Sequence, residues 1–163
     1  MNDTRISEIA DWLRDAHAME SNLVSMLEGQ VPRLADFPHL QREVALHAEE
    51  SKRHAELVEA ALESLGEDTS LLKDGVAKLT GMMGPVGIGL ASDAPVKIVL
   101  SNYAIEHFEI ACYRSLEIAA ESAGLLDIAS TCRSILQDEE RMADLIEPAI
   151  LEVTRAHLNM ASV

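Results

Sequence analysis

The sequence predicts an all-α protein: a ferritin-like four-helix bundle made of two antiparallel hairpins joined by one long crossover. Three observations carry this prediction. Four long runs dominated by Ala, Leu, Glu and Arg place apolar residues at steps of three and four. Strand-like runs rich in Val, Ile, Thr and aromatics do not occur between the turn signals. The breaks between the runs are short, long and short, and the long one, about 30 residues, can travel the length of a bundle.

The first helix is expected over residues 4–30, with Asn2 or Asp3 as its cap. Pro32 and Pro38 bracket a short connection, and a second helix follows over 38–65, with Asp36 capping and Pro38 in the first turn. Residues 66–94 hold the long crossover, rich in Gly, with a short extra helix expected near 70–79. The third helix spans 95–123 after the Ser92–Asp93 cap signal and stops at Gly124. The fourth spans 125–158, and Pro148 should bend it or end its regular part near Ile146. A glycine-rich crossover this long is wasted on an up-down-up-down bundle but required when the third helix starts parallel to the second. At 163 residues the chain reads as one domain over 1–163.

Composition narrows the function. With 28 acidic and 13 basic side chains the net charge is −15, which argues against nucleic acid and anionic membrane as partners. Aromatics at 3% leave no base-stacking platform. Cys112 and Cys132 form no CxxC pair, so a thiolate zinc site and a disulfide framework are excluded, and a reducing cytoplasm is expected. No secretory leader is expected, because residues 1–5 run directly into an amphipathic pattern with acidic residues. The apolar region 81–100 is broken by Asp93, Lys97, Gly and Pro and does not read as a membrane span.

The apolar stripes are interrupted near their middles. In the first helix Ile6, Ile9 and Leu13 give way to His17 and Glu20 before Val24 and Leu27 resume. In the second, Leu40 and Val44 are followed by His47, Glu50 and His54. In the third, Ile98 and Asn102 precede Glu106 and Glu109. In the fourth, Leu136 is followed by Glu139 or Glu140, then Ala143. Counted from the loops, Glu20, Glu50, Glu109 and Glu140 fall within about 3 Å of one height at 1.5 Å per residue. Four carboxylates at one level inside a bundle repel one another and lose hydration, and no Lys or Arg on these stripes neutralises them. Two divalent cations do. Carboxylate with imidazole suits iron or manganese, with zinc as a further alternative, and disfavours calcium. His47 reads equally as a ligand or as a core histidine bonded to Glu50 or Glu20, and His17 as an ordinary buried histidine. A lone Glu on one such stripe is an ordinary boundary residue; the coincidence of four heights carries the reading.

The segments "DAHAME" around Glu20, "HAEESKRHAELVEAALESLGE" from His47, "YAIEHFEIACYRSL" from Tyr103 and "DEERMAD" from Asp138 resemble the YciE/YciF-type ferritin-like proteins, over nearly the whole chain. The resemblance implies a homodimeric bundle with a di-metal, di-iron centre in a bacterial cytoplasm, tied to stress response and without an established reaction. The wider di-iron pattern uses one Glu from each of two helices and Glu-x-x-His from each of the other two. By that pattern Glu20 is the first helix's ligand, and Glu106 with Glu109 is a Glu-x-x-Glu pair like that of rubrerythrin-type sites. Glu50 precedes His54 by four residues, not three; a strict motif needs Glu at Ser51. No His stands three or four residues after Glu140; Asp144 mirrors His54. The expected metal set is therefore Glu20, Glu50, His54, Glu106, Glu109, Glu140 and Asp144, holding two divalent ions that react with oxygen or peroxide. A structural bundle with a metal staple, and iron storage, are the alternatives.

Overall fold

A computed structural model describes residues 2–67, 69 and 92–160. Among the described residues there are four α-helices: α1 Asn2–Gln30, α2 Pro38–Ser64, α3 Ala94–Ala123 and α4 Leu126–Met160. A 3₁₀ turn, Val31–Leu34, joins α1 to α2. Among the described residues there is no strand, and no helix is long and apolar enough to cross a membrane. The extra helix expected near 70–79 lies outside the described residues.

The caps show where local signals yielded. Phe37, not Asp36, stands at the N-cap of α2, without a side-chain cap bond, because the 3₁₀ turn sets the chain direction one residue later. Asp93 occupies the N-cap of α3 but gives its carboxylate to Lys97 at 2.9 Å instead of to a backbone N–H. Gly124 closes α3 in the left-handed region at φ 77°. Its N–H bonds to the Glu121 carbonyl, and that of Leu125 to the Ala120 carbonyl, a Schellman arrangement. Of the two outcomes expected at Pro148, a bend or an end near Ile146, the end does not occur: the helix continues through Pro148 to Met160. Pro148 is exposed, so its missing N–H and the carbonyl it frees face the solvent side of the helix.

Cross-helix ion pairs fix the topology. Lys52 meets Glu28 between α1 and α2, and Arg133 meets Glu117 and Glu121 between α3 and α4. Arg53 meets Asp138 while Arg141 meets Glu50, so α2 and α4 run antiparallel. With α1 opposed to α2, α2 to α4, and α4 to α3, helix α3 starts parallel to α2. The end of α2 and the start of α3 therefore lie at opposite ends of the bundle.

The core is split into two apolar blocks. One contains Ile9, Leu13, Met19, Val58, Leu62, Leu116 and Ile135. The other contains Leu23, Leu27, Leu34, Val44, Ile98, Met142 and Ile146. Each fully buried Leu or Ile contributes about 1.5–3 kcal/mol. Between the two blocks every helix turns a polar side chain inward.

Candidate metal centre

Glu20 comes from α1, His47 and His54 from α2, Glu106 and Glu109 from α3 and Glu139 from α4, and none is more than 1% exposed. They converge because each sits on the same stripe as the flanking core residues: Met19, Leu23 and Leu27 on α1, Val44 and Val58 on α2, Ile98 and Tyr113 on α3, Leu136 and Ile146 on α4. Two groups form. One ligating atom each of His47, Glu106, Glu109 and Glu139 lie within 4.8 Å of one another, and so do one each of Glu20, His54 and Glu139. Glu139 belongs to both. His47 Nε2 is 3.2 Å from Glu106 Oε2 and 3.5 Å from Glu139 Oε2. His54 Nδ1 is 2.9 Å from Glu139 Oε1 and 3.6 Å from Glu20 Oε1.

The inward atoms are orphans. His47 Nε2, His54 Nδ1, Glu20 Oε2 and both oxygens of Glu106, Glu109 and Glu139 have no hydrogen bond. The remaining Glu20 oxygen accepts a bond from the buried Tyr113 hydroxyl. Buried polar atoms are ordinarily satisfied, and one left unpaired costs about 1–3 kcal/mol, more when charged. So many orphans converging on one space fit cations, and the donor set, carboxylate oxygen with imidazole nitrogen, is one that transition metals take. No Lys or Arg is buried among the described residues to take that place.

The domain-of-unknown-function family DUF892 matches residues 8–159. The chain belongs to this family. It is also similar to a crystal structure of a protein from Xanthomonas campestris pv. campestris: 30% identity, 98% of this chain and 99% of that chain covered, TM-score 0.76.

This DUF892 chain places the expected site residues in two classes. Glu20, His54, Glu106 and Glu109 meet in the buried layer. Glu50, Glu140 and Asp144 stand outside both groups. Glu140 is half-buried, outside the layer, and pairs with Arg114 at 2.5 Å. Asp144 is exposed. Each residue turns a helix by about 100°, so Glu140 stands about 100° and Asp144 about 140° from Glu139, off the inward stripe. Glu50 stands at the edge of the α2 stripe, one quarter exposed, and pairs with Arg141 at 2.6 Å. His47 and Glu139, whose roles the sequence left open, are inside. The inward α2 positions are His47, Ser51 and His54; Ser51 is fully buried, and its hydroxyl has no hydrogen bond. His17 is partly buried outside both groups, and burial pulls its pKa below the usual imidazole value.

Protons on the two histidines balance the charge of the buried carboxylates. Burial pulls the His47 imidazole down, but Glu106, Glu50 and Glu139 outweigh it and lift its pKa to about 10. His54 is likewise pulled down by burial and lifted to about 10 by Glu139 and Glu20. Burial raises the carboxyls of Glu20, Glu109 and Glu139 above the usual range, with carboxylate neighbours adding to the rise. Glu50 moves the other way, to about 2, because His47 and Arg141 stabilise its charge against partial burial. Two imidazolium groups therefore stand in for cations. A metal displaces their protons.

Proposed function

We propose that this protein binds two divalent metal ions in the buried layer and that the native metal is iron, reacting with oxygen or peroxide in a stress response. His47, Glu106, Glu109 and Glu139 would hold one ion; Glu20, His54 and Glu139 would hold the other, with Glu139 shared. The observation that carries this reading is the convergence of unpartnered carboxylate oxygens and imidazole nitrogens in a fully enclosed space. Bound iron supplies one-electron chemistry toward a small oxidant. The chain's own residues bind the metal, and Tyr113 holds one oxygen of Glu20 by its hydroxyl. The two apolar blocks keep bulk water from the layer. The YciE/YciF likeness and the homodimer it implies belong to the same proposal, as does a cytoplasmic location.

The test begins with elemental analysis of protein purified without added metal. Anaerobic Fe(II) addition should then saturate at two ions per chain and, on admission of air, give a ferric absorption band. Saturation at zero ions overturns the reading. Retention of zinc with no colour change overturns its redox part and leaves a structural staple.

A further inference from the structure

Each buried histidine is gripped from behind. His47 turns Nε2 to the layer while its Nδ1 bonds to Glu50 Oε2 at 3.3 Å, and Arg141 of α4 holds that carboxylate at 2.6 Å. His54 turns Nδ1 to the layer while its Nε2 bonds to Asp138 Oδ2 at 3.2 Å, and Arg53 of α2 holds that carboxylate at 2.6 Å. The two chains of contacts cross the α2–α4 seam in opposite senses. In one the carboxylate is on α2 and the Arg on α4; in the other the assignments are exchanged. An ionised carboxylate can only accept a hydrogen bond, so the outward nitrogen of each ring donates an N–H to it, and a metal taking the place of the inward proton leaves the ring in that tautomer. The inward nitrogen keeps its lone pair once the ring is neutral. A partner on the non-ligating nitrogen fixes the tautomer and orientation of a metal-binding imidazole.

We propose that His47 binds metal through Nε2 and His54 through Nδ1, and that Glu50 and Asp138, each locked by an Arg from the facing helix, are the positioning residues that impose this opposite choice. The inference rests on the metal-centre reading above. It gives Glu50 a role different from direct ligation and gives one to Asp138, a residue not singled out by its sequence pattern. The Arg partners also bring the carboxylates to rest: Glu50 and Asp138 are each about one quarter exposed and would otherwise sample solvent-facing rotamers.

The deciding experiment is a long-range proton–nitrogen correlation spectrum of Zn(II)-loaded full-length protein carrying isotopically labelled histidine. The expected result is one ring with its proton on Nδ1 and metal on Nε2, and one with the reverse. His47→Gln and His54→Gln assign the two patterns. In Asp138→Ala the His54 pattern should lose its single tautomer and Zn(II) affinity should fall about 10–100-fold. Asp138→Asn, which keeps an acceptor oxygen, should restore the tautomer and part of the affinity. Glu50→Ala should do the same to His47 alone. Two rings bound through the same nitrogen overturn the inference while leaving the metal centre standing, as do unchanged tautomers in both Ala variants. A wild-type protein whose histidines show no metal-bound nitrogen overturns both.

Discussion

Raising the pH of the metal-free protein should unfold it, and the slope can be worked from the buried histidines. In the folded chain His47 and His54 keep their protons to about pH 10, whereas an unfolded imidazole loses its proton near 6.5. Between those values the native state binds more protons than the unfolded state, so stability falls as pH rises. The contribution is complete below 6.5 and gone above about 10. One retained proton corresponds to about 1.4 kcal/mol per pH unit, and two to about 2.7 kcal/mol per unit. The raised carboxyls of Glu20, Glu109 and Glu139 act with the same sign, from their unfolded value of 4.5 upward. Against a total stability of about 5–15 kcal/mol, a rise of about two units removes a large share. Urea midpoints of chelator-treated protein, taken at steps between about pH 6.5 and pH 9.5, measure this directly. His54→Gln should cut the slope by about half. Saturating Zn(II) should flatten it, because metal binds more tightly as protons leave. A metal-free midpoint that stays level between about pH 7 and pH 9 would refute the idea that imidazolium neutralises the buried carboxylates.

Further outcomes follow from the same geometry. Glu139→Ala should remove metal from both groups, whereas Glu140→Gln and Asp144→Asn should leave the metal-to-chain ratio measured by elemental analysis unchanged. Gly124→Ala should lower unfolding free energy by about 1–2 kcal/mol, since its φ of 77° is left-handed and no neighbour crowds the added methyl. Leu27→Ala, at a fully buried position, should cost about 2–5 kcal/mol in urea titration without altering metal content. At the acid end, the Glu50 contribution is present above its unfolded value of 4.5 and lost as pH falls toward about 2, so Glu50→Gln should blunt the acid limb of the stability curve.

The bundle was legible because helix formation and loop length are local properties. Ala, Leu and Glu filled four runs, Pro38 and Gly124 marked two of their ends, and one long connection among short ones set the direction of α3. The caps were less so. Asp36 has the right chemistry for a cap, yet the 3₁₀ turn at Val31–Leu34 decides where α2 begins. That turn depends on Leu34 reaching the core, a tertiary fact.

Within the site, height was legible and azimuth was not. Counting residues from a loop fixes a level to within a turn, and the inward carboxylates do share one layer. Facing requires the phase of the whole stripe, and at both contested places the sequence offers an acid on the wrong side. On α4 the inward series Ala129, Cys132, Leu136, Glu139, Ala143, Ile146 alternates steps of three and four throughout, which placing Glu140 there would break. On α2 the inward series Val44, His47, Ser51, His54, Val58 alternates in the same way, but Ser51 is small and polar and does not advertise a core position. Its neighbour Glu50 does advertise chemistry. Both diverted acids contact an arginine, and the cause is electrostatic: a carboxylate at the edge of the bundle can recruit Arg141 or Arg114, whereas one in the layer has only imidazolium. The contrast separates the two kinds of acid by charge partner. An acid whose stripe neighbours include no reachable Lys or Arg, and which keeps the alternation of three and four, belongs to the layer. Glu20, Glu106, Glu109 and Glu139 meet both conditions, and Glu50, Glu140 and Asp138 meet neither.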